Sequence, residues 1–556
     1  MSSHQRLPRS PARRRLLQGL TGACALALAR GSRPDDAHAD LVCGNAGSTQ
    51  PLPQPGASGF LGRIRLDATP LVLRAGAAPP GSGVGALAYQ AARKGTFLNP
   101  TLVVRKGDPF RVVLDNALDQ ATIVHWHGFA VDTRNDGGGS VLAAPGERYD
   151  YAFDVRNRGG LYWYHPHPHG SSARQLHDGL YGLIDVEDDD TDALRRALDL
   201  TPGSTELMLV LRDQDPARRY ASSVAQSVHG FYGDALRVNG VACAHADVGT
   251  RLYRLRILNA CNARTLLLGL RTASGERIAF QVIGNDGGLL PAPVVCAAAF
   301  LASAERLDIL VDLRDAAIGD TLVLETRAFD PMHAELALPA AAAADEPDPH
   351  AGHHAGGTAA TSGAPPPATS AADPHAAHGG AWPEGAARDI LQLRVRTRVA
   401  YDRTVPAQLS TLAPTDVTGA EERPLRLGYK SGRWRINDRV FVMGETPIEV
   451  ARDTTEIWLL RNYFTSMPHA MHLHGFPFEV LERETSPDQV KSRAIDRQGR
   501  LPSDLGRKDT VLVWPGESVR VAVRFDMPFA GAQTYPFHCH NLEHEDAGMM
   551  LGVKVA

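Results

Sequence analysis

Ten of the 22 histidines fall into four short clusters, and one cysteine sits inside the last of them. The clusters are His125-Trp126-His127, His165-Pro166-His167, His469-Ala470-Met471-His472-Leu473-His474, and His538-Cys539-His540 followed by His544. On a strand, residues i and i+2 share a face, so each His-x-His can aim two imidazoles at one point while the middle residue turns away. A lone pair of this kind is weak evidence for a metal; four, two near each end of the folded part, are strong evidence. Cys539 narrows the chemistry, because two His, one Cys and a weak Met ligand make a blue-copper electron-transfer site. His544 and Met549 follow Cys539 at five and ten residues, close enough for a loop to return both to the sulfur. Zinc also accepts Cys and His, but ten histidines with one cysteine far exceed a tetrahedral site.

The elements that must carry these residues read as short strands. A signature of alternating character occurs three times, at 107–116, 249–259 and 453–462, and a second signature follows each one, around Glu147, Glu305 and Glu517. Each first signature alternates like a half-buried strand. Three β-domains in tandem follow. The glutamates are 158 and then 212 residues apart, and the excess matches a low-complexity stretch at about 340–385 that is rich in Ala, Gly, Pro and His. That stretch, with His350, His353, His354, His375 and His378, is an insertion too poor in large apolar residues to offset its ordering entropy. Segments separated by Gly, Pro and Asp predict sandwiches or Greek-key barrels with few helices, one of them over 191–200. The fold class is therefore all-β, and the expected domains are 58–190, 200–400 with the insertion inside it, and 405–556.

The chain has 556 residues and a net charge of −4, with no basic stripe interleaved with aromatics, which excludes a nucleic-acid partner. Arg13, Arg14 and Arg15 precede an apolar run from Leu16 to Ala29 and an Ala37-His38-Ala39 cleavage site, so 1–39 reads as a secretion signal. Twin arginines before Leu16 and Leu17 suggest the twin-arginine route, which exports folded proteins with cofactors inside to the periplasm or beyond. The run is too short to span a bilayer, and no membrane span is expected. Cleavage after Ala39 takes the net charge to −9. Cys24 lies in only a weak lipobox. Among the remaining cysteines, Cys43, Cys243, Cys261 and Cys296 can supply one or two disulfides or buried thiols, with the pairing left open.

With all four motifs present and the repeats covering about 60–556, the sequence resembles the three-domain multicopper oxidases, the superfamily of laccases and the bacterial copper-efflux oxidase. The resemblance implies cupredoxin-like domains and four copper ions. It places His469, Cys539, His544 and axial Met549 on the type 1 copper, and His125 and His472 on the type 2 copper. It assigns His127, His165, His167, His474, His538 and His540 to the type 3 pair. It also implies that Cys539 receives the electron, that His538 and His540 pass it to the trinuclear cluster, and that Asp136 and Glu545 relay protons. One departure is that Pro468 precedes His469, whereas the family's third motif usually has Pro just after its first histidine. Asp136 also reads as the start of an Asp-Gly-Gly-Gly turn, Glu545 as a solvated loop acid, and His169 as a histidine outside the ligand set.

The implied reaction reduces O2 to water with electrons from small phenols or aromatic amines, as in a laccase, extending to Cu(I). The competing expectation is a cuprous oxidase serving copper tolerance. The Leu542-Glu543-His544-Glu545-Asp546 loop and Met549 resemble that branch, whereas the whole chain has only nine Met and Thr465 stands where the branch has an acid. Met467 is a soft Cu(I) ligand or an ordinary core residue. A copper-free scaffold of the same fold is the remote third reading, and a monomer is expected.

Overall fold

The computed structural model describes residues 49–556 except 57, 83, 94, 215–219, 221–222 and 334–381. The expected secretion signal at 1–39 and nearly all of the expected insertion at 340–385 lie outside the described residues. Six sheets form three sandwiches in chain order, with six and five strands, seven and seven, then five and five. Each sandwich closes on one apolar core: Leu73, Tyr89, Phe110 and Trp126 in the first, Leu209, Ile257, Leu268 and Leu324 in the middle, Leu427, Trp458, Val521 and Tyr535 in the third. Removing such side chains from water stabilises the fold by about 1.5–3 kcal/mol each before entropy is counted. The architecture is all-β and cupredoxin-like.

The repeated signatures become equivalent antiparallel strand pairs. Pro109–Asn116 pairs with Arg148–Asp154, Leu252–Asn259 with Arg306–Asp312, and Thr455–Asn462 with Ser518–Arg524. The first alternates between half-buried and buried along its length, as its sequence predicts, but every residue of Leu252–Asn259 is buried. Half-burial is therefore corrected for the middle repeat, and the reason is electrostatic. Arg254 and Arg256 point from this strand into a closed ionic network with Glu206, Asp185 and Asp308, where Arg256 Nη1 lies 2.6 Å from Asp185 and Arg254 Nη1 3.0 Å from Glu206. Asp185 belongs to the first sandwich, so the network fastens the first two sandwiches together. Fully paired charges can occupy such a site, whereas an unpaired one could not.

The interdomain helix spans Asp189–Ala197, starting two residues before its expected position because Asp188 caps it and accepts from the Thr191 N–H. Its Arg195 reaches Glu206 at 2.6 Å and so joins the same network.

Candidate metal centre

The first sandwich sets His125 and His127 on Val124–His127, which pairs antiparallel with Gly160–Pro166 in a register that puts His165 opposite His125. The third sandwich repeats the device, with His472 on His469–Leu473 opposite His538 on Gln533–Cys539. Packing the two sandwiches together interleaves the arrays. The His125 ring stacks on His474 at 3.7 Å, and the His127 ring stacks on His472 at 3.8 Å. All eight histidines of this pocket, including His165, His167 and His540, are fully buried.

Hydrogen bonds fix which nitrogen of each ring keeps its lone pair. A carbonyl can only accept, so the Nδ1–H of His125 donates to Asp136 O at 2.8 Å and that of His472 to Asp509 O at 2.8 Å. His165 and His538 donate in the same way to Pro166 O and Cys539 O, each at 3.0 Å. The Nε2 atoms of His125, His472 and His540 are left buried with no partner. His538 Nε2 faces His474 Nε2 at 3.0 Å and His167 Nε2 at 3.4 Å, and His127 Nδ1 faces His165 Nε2 at 3.3 Å. Burial, reinforced for His125 by its histidine neighbours, holds the imidazoles neutral; His165 falls to about 4 and His538 to about 3, with His125, His472 and His540 well below the usual range. Crowded neutral nitrogens with inward lone pairs repel one another unless a cation lies among them. Ligand atoms in the groups His125/His472/His474 and His167/His474/His538 all lie within 4.8 Å of one another.

Three carboxylates touch this pocket. Asp136 Oδ2 accepts from His474 Nδ1 at 2.8 Å, so Asp136 holds His474 by its side chain and His125 by its carbonyl. It is not a turn opener but the last residue of a helical turn, Thr133–Asp136, closed by Gly137 at φ 73°; a Cβ at Gly137 would come within 1.9 Å of Val124 O. Glu545 is fully shielded, 3.2 Å from His538 Nδ1 and 3.5 Å from His167 Nε2, which corrects the reading of a solvated loop acid. Burial, then Asp132 for the one and Asp546 for the other, pushes the Asp136 and Glu545 carboxyls well above the usual range. Asp509, which no motif flags, lies 3.1 Å from His127 Nε2. It is held by both guanidinium nitrogens of Arg306, a residue whose Nε donates to Leu161 O.

A second group, His469, Cys539 and His544, closes inside the third sandwich. Cys539 Sγ lies 3.5 Å from His469 Nδ1 and 3.7 Å from His544 Nδ1, and it accepts from the Asn541 N–H at 3.4 Å. Asn541 also caps the short helix Leu542–Asp546, whose first turn brings His544 back to the sulfur. Met549 is fully buried, and its carbonyl accepts from the Cys539 N–H at 3.1 Å. Burial pushes the Cys539 thiol up to about 12, so a bound cation is needed to displace its proton at neutral pH. His544 Nε2 donates to Val228 O at 3.0 Å, a carbonyl that also accepts from Trp434 Nε1 at 2.7 Å.

Among the described residues His169 joins no metal-capable group; it packs against His167 at 5.7 Å and Phe441 at 4.7 Å. Met467 sits in the third core and Thr465 is exposed. Cys243 is disulfide-bonded, while Cys261 and Cys296 are thiols. Asp509, Arg306, Trp434 and Val228 escaped sequence reading because strand and domain packing, and no local spacing, bring them to the histidines.

A soft thiolate between two imidazoles beside a nest of neutral nitrogens defines a copper protein with two adjoining centres, and this donor set fits copper. The chain belongs to the multicopper oxidase family, whose domains match residues 87–191 and 416–556. It is similar to the crystal structure of the multicopper oxidase McoA from Aquifex aeolicus, with 31% identity, a TM-score of 0.74, and coverage of 91% of this chain and 99% of that one. A laccase of Haloferax volcanii is 30% identical over 77% of this chain and 66% of its own length. The cell division protein FtsP of Shigella dysenteriae is 26% identical over 97% of each chain. The protein is a copper-dependent oxidoreductase.

Proposed function

We propose that the protein is a laccase-like oxidase, exported by the twin-arginine route and acting as a monomer. It would take single electrons from phenols, aromatic amines or Cu(I) and reduce O2 to water. The observation that carries this reading is the Gln533–Cys539 strand and the residue after it: Cys539 faces His469 and His544, while His538 and His540 face the other histidine pocket. Two centres one peptide bond apart suit electron transfer between them.

In this reading His469, Cys539, His544 and Met549 hold the type 1 copper, His125 and His472 the type 2 copper, and His127, His165, His167, His474, His538 and His540 the type 3 pair. Bound copper would supply one-electron steps at the first centre, and the four coppers of the two centres together would store the four electrons that dioxygen needs. Asp136 orients His474 and His125, and the buried Asp136 and Glu545 carboxyls, held protonated more readily than usual, keep protons beside the pocket. The presence of all ten histidines and Cys539 argues against the scaffold role suggested by the likeness to FtsP.

Oxygen uptake by the copper-loaded enzyme, with a substituted phenol and with Cu(I) in the same buffer, tests this. Ready turnover of the phenol without added copper is the expected result. Uptake with Cu(I) alone makes the protein a metal-defence oxidase, and no uptake with either returns it to the scaffold reading.

A further inference from the structure

Neither type 1 imidazole offers an edge to solvent. His544 Nε2 is covered by Val228 O at 3.0 Å, His469 Nε2 lies 3.3 Å from Ser466 Oγ, and both rings are fully buried. The ring that touches both is Trp434, 4.5 Å from His469 and 5.1 Å from His544. Trp434 stands opposite Tyr429 across the hairpin made by Glu421–Lys430 and Arg433–Ile436, with their rings 5.0 Å apart. Tyr429 lines a surface pocket of about 140 Å³, room for one aromatic ring, together with Tyr463, Arg426, Lys430 and Arg435.

Charge and shape at this pocket point to one kind of ligand. The chain carries a net −4, yet this hairpin presents Arg426, Lys430, Arg433 and Arg435, with Arg461 opposite Arg426 on the neighbouring strand. Asp438 is the one carboxylate lining the pocket, and it pairs with Lys430 at 3.4 Å. Gly428 lets the Tyr463 ring lie against the strand, since a Cβ there would come within 2.3 Å of Tyr463 Cδ2. Phe464 beside it is 85% exposed. The Tyr429 hydroxyl is shielded from solvent and has no hydrogen-bond partner. The flat Tyr463 ring within a cationic rim suits an aromatic ring that bears a sulfonate or carboxylate, while the Tyr429 ring lies on the core-facing side of the same strand, against Trp434.

We propose that this pocket is the docking site for anionic aromatic reductants, and that Tyr429 and Trp434 bridge it to the type 1 histidines. This rests on the oxidase reading and names a substrate class and an entrance for it. In each event the docked ring would lose one electron, to be taken up by copper held by His469, Cys539 and His544. A phenolic reductant also releases its proton to water at the open rim. Tyr429 and Trp434 undergo no net change.

The test uses copper-loaded, full-chain enzyme and two readouts. First, the redox-inert naphthalene-2-sulfonate is titrated by calorimetry against the parent and the double variant Lys430→Glu/Arg435→Glu. Binding should weaken at least tenfold at low ionic strength, the lower end of what charge-lined sites contribute, and the difference should shrink in roughly 0.5 M salt. Second, the kcat/KM ratio of a sulfonated to a neutral phenol should fall by a similar factor in that variant. It should stay at the parent value in Arg396→Glu, a reversal of an exposed charge paired with Asp247 on the middle sandwich. Trp434→Phe should keep the blue absorption but slow its anaerobic bleaching by the sulfonated phenol at least threefold.

No binding of the sulfonate, an unchanged ratio in the double variant, or bleaching as fast in Trp434→Phe as in the parent overturns the proposal. Charge sensitivity toward an acidic electron-carrier protein but not toward the small sulfonate also overturns it. A parent enzyme that is never blue refutes the type 1 assignment instead; the inert-ligand titration still decides whether the pocket binds.

Discussion

Replacing Arg306 by Met separates the pairing of the buried charge from the rest of the site. Arg306 is 1% exposed and holds all three sandwiches at one point: Leu161 O of the first accepts from Nε at 3.1 Å, Ala304 O of the middle from Nη1 at 2.9 Å, and the Asp509 carboxylate of the third from both Nη atoms. Met preserves most of the volume and removes the charge, so Asp509 is left buried beside His127 without its partner. Breaking a buried pair from one side costs about 3–5 kcal/mol. On a cooperative unit of 150–250 residues that lowers the transition by roughly 10 °C. Asp509 also anchors His127 through its side chain and His472 through its carbonyl, and losing such support typically weakens metal affinity about 10–100-fold. Calorimetry and copper content after dialysis should therefore show a lowered transition and loss of copper from the eight-histidine pocket, with the blue absorption kept because Arg306 contacts none of His469, Cys539 and His544. Adding Asp509→Asn removes the stranded charge while keeping the backbone carbonyl, and should restore more than half of the lost stability. A variant with parental stability and full copper would refute the reasoning, as would loss of blue absorption in step with the other coppers.

Three further outcomes are expected. Cys539→Ser should abolish the blue absorption and nearly all oxidase turnover, and a variant still blue and active would sink the type 1 assignment. Gly137→Ala forces a Cβ to within 1.9 Å of Val124 O at φ 73° and should cost copper in the eight-histidine pocket as well as stability, whereas Gly419→Ala, at φ 70° with nothing within 4 Å, should cost only about 1–2 kcal/mol; equal effects in melting and copper assays would contradict the clash. Burial opposes ionisation of Glu206, but Arg254, Arg256 and Arg195 outweigh it and hold the carboxyl down to about 2. A depressed folded pKa stabilises fully above the unfolded value and is lost as pH falls from about 4.5 through about 2, so denaturation of Glu206→Gln should show a flatter pH dependence than the parent in that window; parallel curves would exclude the pairing as the cause.

The parts of this molecule legible in its sequence share one property: they depend on spacing along a single strand. His125 and His127, or His538 and His540, announce a common face because strand side chains alternate, whatever the strand packs against. The repeats around Pro109, Leu252 and Thr455 are legible for the same reason, and they do form equivalent pairs. Full burial of Leu252–Asn259 was hidden because its Arg254 and Arg256 look like solvent-facing residues until Asp185 arrives from another sandwich. Asp509 was hidden likewise, 35 residues beyond His474 in a run with no motif. The shielding of Glu545 depends on the Leu542–Asp546 helix turning inward against His167, a contact between the first and third sandwiches.

The middle sandwich supplies none of the ten clustered histidines, yet it determines the conditions under which they work. Ser303 Oγ sits 3.5 Å from His540 Nδ1, Arg306 neutralises Asp509, and Val228 O fixes the tautomer of His544. Its Asn262 Nδ2 and Phe231 N donate to the Glu543 carboxylate at 2.8 and 3.1 Å, tying the loop that carries His544. Each of these contacts either pairs a buried charge or assigns a proton to one nitrogen. In a buried pocket those are the two quantities that decide whether an imidazole presents a lone pair inward. The first and third sandwiches alone would bring the rings together but leave Asp509 unpaired and the His544 Nε2 proton without an acceptor, so the three-domain plan is a requirement of the site's electrostatics as much as of its shape.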